Sequence, residues 1–247
     1  MQMKLLCIGS SSRGNGYILQ SSNGALLIEC GMPLTEVKKV LGWKLSGISG
    51  CVVSHRHKDH SKYLPEYLKF GIRALALEDV FASFPKLNRT FCKSIEPMHG
   101  YIVGGFKVYA LPVVHDVPCL GFVIEHSEMG KLLFVTDTMM LEYRVENLNH
   151  IMIEANYSDE LLEDAISNGS TVSSTRERLL ESHMELKTTE QILRTTDLTA
   201  VNEVVLLHLS GRHSDTVQFR DRIAKAVGKP VYVANPGIEI NVSKFPY

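Results

Sequence analysis

At positions 53–60 the sequence reads Val53-Ser54-His55-Arg56-His57-Lys58-Asp59-His60. This stretch places three imidazoles and one carboxylate within six residues, directly after an apolar run. A loop that leaves a strand turns alternate side chains toward one point, so we expect His55 and His57 to share a metal ion. Asp59 and His60, on the next turn, are expected to face a second metal ion. Nitrogen and carboxylate ligands suit Zn(II), Mn(II) or Fe(II).

The alternative for this stretch is a polar loop that happens to be rich in histidine. The chain has ten histidines in 247 residues, and at that frequency the pattern arises by chance in roughly one chain in a thousand. We therefore interpret the stretch as a metal site. Four ligands in one loop do not complete two metal shells, so further ligands are expected at other strand ends.

Three more side chains that can bind metal each follow an apolar run that is typical of a strand. They are His115, Asp137 and His208, which come after the runs ending at Val114, Thr136 and Leu207. Taken alone, such a residue is more often a strand end that satisfies its own hydrogen bonds. Three of them in a chain that also contains H-x-H-x-D-H favour a shared metal site.

The order of these residues, H-x-H-x-D-H and then His, Asp and His at strand ends, resembles the metallo-β-lactamase superfamily. The resemblance covers nearly the whole chain, from the first strand to the turn at 236–238. It implies an α+β fold, a four-layer αββα metallo-β-lactamase sandwich formed by residues 1–247 as a single domain. It also implies a dinuclear site at one edge of the paired sheets, with two divalent metal ions, Zn or Mn, as cofactors.

The same resemblance implies a role for each ligand. It places His55, His57 and His115 on one ion, Asp59, His60 and His208 on the other, and Asp137 between the two. The histidine of the Asp-His pair, His60, favours the two-metal hydrolases of the superfamily over the lactamases, which lack it. Glu29 stands where the superfamily usually has Asp, and we expect it to support the histidine loop without binding metal.

Three further stretches resemble one branch of the superfamily, the YycJ-like (WalJ) exonucleases. They lie at 9–16, 153–157 and 178–184. The first is similar to the Gly-Ser-Ser-x-Gly-Asn loop of that branch and, less closely, to tRNase Z. The last departs at Ser182 and Glu185 from the Gly-His-Leu-Ser that is usual in the branch.

The serine-rich loop is predicted to bind substrate through Ser11, Ser12, Arg13 and Asn15. Its small residues let backbone N–H groups and hydroxyls approach a phosphate, and Arg13 adds positive charge. The alternative is a tight turn in which the glycines of the loop supply positive φ angles.

Two catalytic roles are predicted in addition to metal binding. Asp59 is expected to orient the attacking water or accept its proton, and either His183 or a metal-bound water to protonate the leaving oxygen. For His183 the alternative is a surface or cap position, because it falls in a predicted helix at 175–186. Glu154 is either a support for a metal ligand or a strand-end charge. The histidines without a strand-end context are predicted to face solvent: His99, His126, His150 and His213.

The remaining pattern alternates short strands with helices. Strands are predicted at 3–9, 17–22, 25–30, 51–54, 101–114, 120–126, 131–136, 151–153, 204–207 and 231–234. Helices are predicted at 34–41, 63–70, 175–186, 189–197 and 216–227. The apolar runs stop short of the roughly 18 residues that a membrane span needs, so none is expected. The first apolar run is interpreted as a strand and not as a signal peptide.

Composition narrows the possible partners and the compartment. The 26 basic and 27 acidic residues give a net charge of −1, which argues against a nucleic-acid coat protein or a polybasic membrane binder. A local basic groove remains compatible with that charge. The five cysteines are odd in number and lack C-x-x-C spacing, so we expect free thiols and a reducing, cytoplasmic location.

Together these features predict an enzyme, a metal-dependent hydrolase that acts on ester bonds through a hydroxide bridging two metal ions. The leading hypothesis is a phosphodiesterase or nuclease of the exonuclease type. Its expected substrate is nucleic acid, preferentially DNA. The alternative is a hydrolase of small thioesters, lactones or cyclic phosphodiesters. A third class is a binding protein in which the metals are structural. No membrane partner is expected, and the sequence does not indicate an oligomeric state.

Overall fold

A computed structural model describes residues 2–172 and 174–245, except for the side chains of 174, 175 and 178. The strands of one sheet are β1 (Lys4–Gly9), β2 (Gly16–Gln20), β3 (Ala25–Ile28), β4 (Ile48–Val52), β5 (Ala74–Ala76), β6 (Cys92–Ser94) and β14 (Glu239–Asn241). Those of the other are β7 (Gly100–Val103), β8 (Phe106–Val113), β9 (Cys119–His126), β10 (Gly130–Val135), β11 (His150–Glu154), β12 (Glu203–Leu207) and β13 (Val231–Val233). The helices are α1 (Leu34–Val40), α2 (Lys58–Ser61), α3 (Leu64–Lys69), α4 (Glu78–Ala82), α5 (Asp159–Ser167), α6 (Ser174–Ser182), α7 (Leu186–Thr195) and α8 (Thr216–Val227).

Each sheet combines an antiparallel half with a parallel half. The first sheet has the order β14-β1-β2-β3-β4-β5-β6 and is antiparallel up to β3 and parallel beyond it. The second has the order β13-β12-β11-β10-β9-β8-β7, in which β10 to β13 are parallel and β7 to β10 antiparallel.

Most central strands are apolar on both faces, because each sheet is covered on both sides. In β1, Leu5 and Cys7 point into the layer between the sheets, while Leu6 and Ile8 point to the helices. Phe134 of the second sheet fills the same inner layer and is fully buried. Side chains alternate between the two faces of each strand. They therefore form one core between the sheets and one core between each sheet and its helices.

Helices cover the outer face of each sheet. On the first sheet, α1, α3 and α4 contribute buried Leu34, Leu64 and Phe81. On the second, α7 and α8 contribute Leu193 and Phe219. The layers run helix, sheet, sheet, helix, which confirms the predicted αββα sandwich.

The strand directions bring several strand ends to one edge of each sheet. β10, β11 and β12 are parallel, and β8 has the same direction because it lies two antiparallel steps from β10. β3 and β4 are likewise parallel to each other. Residues that follow the carboxyl ends of such strands converge, and this is where open sheets place their sites.

Two predicted elements are interrupted. The strand predicted over 101–114 is a hairpin of β7 and β8, because Gly104 turns the chain with a φ of 60°. The helix predicted over 175–186 ends at Ser182, so the prediction that His183 lies in a helix is wrong. Glu185 starts a new helix instead, since its carboxylate accepts the backbone N–H groups of Lys187 and Thr188.

Several short elements are not apparent in the sequence pattern. They are β5, β6, β14, α2 and α4, of three to five residues each, and such runs are too short to show a period. Across the described part of the chain, no helix has the length and apolarity needed to cross a membrane.

Candidate metal centre

Backbone contacts hold the loop 53–60 against the loops that follow β1 and β3. The N–H of Asn15 donates to the carbonyl of Asp59 at 2.7 Å, and the N–H of Cys30 to that of His60 at 2.8 Å. Gly31 lies so close that a Cβ there would collide with the carbonyl oxygen of Asp59. This approach requires glycine, and it places α2 with Asp59 and His60 at the edge of the sheets.

One half of the cluster consists of imidazoles only. His55, His57 and His115 each offer one nitrogen, all within 4.8 Å of one another. Nε2 of His115 lies 3.2 Å from Nδ1 of His57. Nε2 of His55 is buried without a hydrogen-bond partner among the described residues. A buried nitrogen left unpaired is costly, and a ligand at the centre of the three rings would satisfy it.

The opposite ring nitrogens of this half are tied to the protein. Nδ1 of His115 lies 2.8 Å from the carbonyl of Ser182, which can only accept, so Nδ1 donates and Nε2 keeps its lone pair. Nδ1 of His55 contacts the hydroxyl of Ser54 at 2.9 Å. Burial lowers the pKa of both His55 and His115, so these rings are neutral, as metal ligands must be.

The other half combines carboxylates with imidazoles. Nε2 of His60 lies 3.3 Å from Oδ2 of Asp59 and 3.3 Å from Oδ1 of Asp137. Nε2 of His208 lies 3.3 Å from Oδ2 of Asp59. These four residues form a second group whose ligand atoms lie within 4.8 Å of one another.

The field in this half is strongly anionic. Burial by itself lowers the pKa of His208, but Asp137, Asp59 and Glu154 raise it to about 10. Burial raises the pKa of Asp137, yet the facing His208 and His60 hold it well below the usual range. Carboxylates that stay ionised when buried attract a cation of higher charge.

Glu154, at the end of β11, links the cluster to His183. Its Oε1 lies 2.7 Å from Nδ1 of His183 and 3.2 Å from Nδ1 of His208. Its Oε2 accepts the N–H groups of Thr138 and Met184, each at 3.1 Å. Of the two alternatives for Glu154, the structure therefore supports the one in which it orients a ligand.

Glu29 has the supporting position that the sequence suggests. It is buried, its carboxylate accepts the N–H of Ser54 at 3.3 Å, and Oε1 lies 3.4 Å from Nδ1 of His60. Glu29, Asp137 and His208 have φ values of 66°, 48° and 53°. Non-glycine residues adopt this left-handed conformation at a cost, and it concentrates at functional sites.

The donor set fits a divalent metal centre. Histidine and aspartate side chains from four strand ends converge, and two of the rings are held neutral. Among the described residues, two buried imidazole nitrogens, Nε2 of His55 and Nδ1 of His60, lack a hydrogen-bond partner. Nitrogen and carboxylate ligands of this kind bind Zn(II), Mn(II) or Fe(II). The cluster is thus a His/Asp site for divalent metal.

A cleft of about 760 Å³ opens beside the cluster. His183 and His208 lie on its wall, and the other polar residues that line it include Ser11, Ser12, Arg13, Ser210 and Arg212. Among the described residues, neither Arg13 nor Arg212 has a carboxylate partner, and no acidic side chain lines the cleft.

Asn15 is placed differently from the other three loop residues. It is fully buried, and its Nδ2 lies 2.9 Å from Nε2 of His60 and 3.4 Å from Oδ2 of Asp59. The expectation that Asn15 binds substrate is therefore not supported by its position, because a buried amide behind the loop positions ligands. The structure also gives a role to Ser10, whose Oγ accepts the N–H of His208 at 2.9 Å.

Two of the histidines predicted to face solvent are buried. Nδ1 of His150 contacts Oε1 of Glu203 at 2.5 Å, because the two residues pair at the start of adjacent parallel strands. Nε2 of His213 contacts Oγ1 of Thr171 at 2.8 Å and joins two walls of the cleft. Their partners are distant in sequence, so the prediction that they face solvent is wrong. His99 is exposed, and His126 is half-buried.

No family model matches the chain. Among curated proteins, it is 25% identical to exodeoxyribonuclease YycJ of Bacillus anthracis over 176 residues. It is 23% identical to exodeoxyribonuclease WalJ of Streptococcus pneumoniae over 175 residues. These matches cover 66% and 64% of this chain and equal shares of the relatives. The match thus spans just under two thirds of the length of these relatives.

Solved structures match over nearly the whole chain. The metallo-β-lactamase fold protein YhfI from Bacillus subtilis has a TM-score of 0.73 and 20% identity, covering 97% of this chain and 99% of its own. A diphosphatase from the PhnP family has a TM-score of 0.68 and 13% identity, covering 97% of both chains. The likeness confirms the fold that the motifs imply, and the curated matches confirm the resemblance to the YycJ and WalJ exonucleases.

Proposed function

We propose that this chain, which has the metallo-β-lactamase fold, is a metal-dependent phosphodiesterase that cleaves nucleic acid, preferentially at DNA ends. The cleft carries the proposal: neither Arg13 nor Arg212, which line it, has a carboxylate partner in the described part of the chain, and His183 and His208 of the cluster open into it. Guanidinium and hydroxyl groups are donors that bind phosphate oxygens. The exodeoxyribonuclease relatives support the same class of substrate.

The proposal assigns two divalent ions, Zn or Mn, to the cluster. The residues that would hold them are His55, His57 and His115 on one side, Asp59, His60 and His208 on the other, and Asp137 between the two groups. When bound, such a centre activates water and offsets negative charge on the scissile phosphate.

The residues around the centre then share the work of the reaction. Asp59, whose Oδ2 faces the rings of His60 and His208, orients the attacking water and accepts its proton. His183 lines the cleft and its Nδ1 is held by Glu154 at 2.7 Å, which leaves Nε2 for the leaving oxygen. Arg13 and the serine hydroxyls hold the phosphate in place.

A small-molecule hydrolase is the second candidate. The diphosphatase of the PhnP family has the same fold over nearly its whole length. A cleft of about 760 Å³ also lies within the range that suits a small ligand. Thioesters, lactones and cyclic phosphodiesters are the substrates to compare with nucleic acid.

One substrate panel separates these candidates. Protein loaded with Mn or with Zn is given 5′-phosphorylated duplex DNA, single-stranded DNA, RNA, a cyclic phosphodiester and a thioester. We expect release of nucleotides from DNA, abolished in Asp137→Ala. His99→Ala, which changes an exposed histidine outside the cluster, is the matched control. Turnover of the thioester or the cyclic phosphodiester without cleavage of any nucleic acid would replace the proposal with the second candidate.

A reducing, cytoplasmic location belongs to the same proposal. All five cysteines are free, and four of them are buried. Burial raises the pKa of the Cys7 thiol to about 12, so it stays protonated and unreactive at neutral pH. Free thiols in this number are typical of proteins kept in reducing compartments.

A further inference from the structure

A second groove, of about 740 Å³, lies on the helical face of the first sheet. It runs between α3 and the segment that follows α4. Its lining residues are Pro65, Leu68, Lys69, Phe84, Pro85, Lys86, Leu87, Asn88 and Phe91. We call it the lysine–phenylalanine groove.

The groove combines apolar walls with positive charge. Phe91 is 39% exposed, and Lys69 and Lys86 are exposed on the rim. No acidic residue is among the described residues that line it, although the chain as a whole has a net charge of −1. Nearby Arg89 is neutralised by an ion pair with Glu78 at 2.5 Å. The positive charge of the groove is therefore local, and it complements an anionic partner that also has an apolar face.

The groove adjoins the metal loop. Nζ of Lys58, the residue after His57, lies 4.2 Å from the centre of the Phe84 ring. Nε of Arg56 lies 3.3 Å from Oδ2 of Asp79 in α4. These contacts join the segment that forms one wall of the groove to the loop that carries the histidines. Exposed Lys58 continues the basic surface from that loop toward the groove.

We propose that the lysine–phenylalanine groove binds the part of a single-stranded nucleic acid that lies outside the metal centre, with a base on Phe91 and phosphates on Lys69 and Lys86. Aromatic side chains beside cations are the way in which proteins hold single strands without reading their sequence. Phe91 is the stacking surface because Lys58 already covers the ring of Phe84. The inference rests on the proposed nuclease function and extends its substrate to a longer strand.

The test separates binding in the groove from cleavage at the metal centre. Affinity is measured by fluorescence anisotropy on metal-loaded protein, with a phosphorothioate oligothymidylate of about 20 nucleotides that resists cleavage. Phe91→Ala is expected to weaken binding about 5- to 100-fold, as for the loss of one stacked base. Its kcat/KM on a dinucleotide, whose single phosphodiester bond has to lie at the metal centre, is expected to stay unchanged.

Two control variants make the result specific. Phe70→Ala removes an exposed ring that is next in sequence to Lys69 but does not line the groove, and it is expected to bind like the wild type. The double variant Lys69→Ala/Lys86→Ala is expected to reduce the salt dependence of binding by roughly two phosphate contacts. Thermal melting checks that each variant is folded.

Each outcome bears on one proposal only. Wild-type affinity in folded Phe91→Ala would overturn the groove even if DNA is cleaved. Binding of a polyglutamate peptide in place of the oligonucleotide, lost in the lysine variant, would overturn it in favour of an acidic protein partner. Binding of the strand through Phe91 without cleavage of any nucleic acid would keep the groove and overturn the nuclease.

Discussion

The protonation of His183 depends on one neighbouring carboxylate. Burial lowers the pKa of this imidazole, but Glu154, at 2.7 Å, and Asp137 raise it above its usual value. A general acid acts in its protonated form, so activity is retained below the pKa in the folded protein and is lost as the pH rises through it. If His183 is the general acid, as proposed, we expect Glu154 to set the alkaline limit of the reaction.

Changing Glu154 to Gln tests this link. The amide keeps the shape and removes the charge, so the pKa of His183 falls and the alkaline limb of the kcat/KM profile moves to lower pH. Glu36→Gln, on the exposed surface of α1, is the control and should leave the profile in place. An alkaline limb that stays where it is in the wild type would show that His183 is not the acid.

Asp137 and His115 are expected to differ in how many ions depend on them. Asp137 faces His60 and His208, and the proposal places it between the two ions, so Asp137→Ala should empty both sites. His115 belongs to the imidazole half alone, so His115→Ala should remove about one ion. Elemental analysis after dialysis gives the count. Equal losses in the two variants would contradict a bridging role for Asp137.

Single residues could be predicted where their own sequence neighbours carry the signal. His115, Asp137 and His208 each follow an apolar run, and the structure brings them to the same cluster. His213 has no such signal, because its role comes from Thr171, which lies 42 positions away in the chain. Contacts of this kind depend on the tertiary structure.

At the scale of elements, the loop between β1 and β2 has two distinct faces. Ser11, Ser12 and Arg13 line the cleft, whereas buried Asn15 contacts the metal loop. One short loop therefore connects the cleft to the metal cluster. Substitutions on the two faces of this loop are therefore expected to affect different properties, substrate binding on one face and metal content on the other.

Arg13→Ala and Ser11→Ala are expected to raise KM for a phosphodiester and to leave metal content intact. Each removes a donor to phosphate, and a hydrogen bond to a charged group contributes about 1.5–3 kcal/mol. Asn15→Ala should instead lower metal content, since its amide lies 2.9 Å from the ring of His60. Steady-state kinetics with elemental analysis checks both. An unchanged KM in Arg13→Ala and Ser11→Ala would mean that the loop is only a turn.

Element boundaries could be predicted wherever a period is long enough to see. Helix α8 is found at the predicted 216–227, because an Asp cap and a left-handed glycine mark its ends. The break at His183 could not be predicted in this way. That residue leaves the helical path to reach Glu154, a contact made across 29 positions, and helix propensity carries no trace of it.

At the scale of the whole molecule, the sandwich explains why scattered residues form one cluster. Ligands from the first sheet follow β4, and those from the second follow β8, β10 and β12. Parallel strands end at the same edge, so the order of ligands along the chain becomes an order across that edge. The motifs imply this arrangement, whereas the walls of the two grooves depend on how helices and loops pack.

The electrostatics of the whole surface separates a nuclease from a small-molecule hydrolase. A nuclease holds several phosphates with lysine and arginine, and displacing their counterions makes its affinity fall as salt rises. A thioester or lactone carries little charge, so its KM should be almost indifferent to salt. With Arg13 and Arg212 in the cleft and a chain that has a net charge of −1, we expect a modest dependence of KM on salt, from roughly two to four phosphate contacts.

This salt dependence should fall by about one phosphate contact in Arg212→Ala, while Lys225→Ala, on α8, should leave it unchanged. A KM for duplex DNA that is flat between low and physiological salt would argue for the small-molecule substrate.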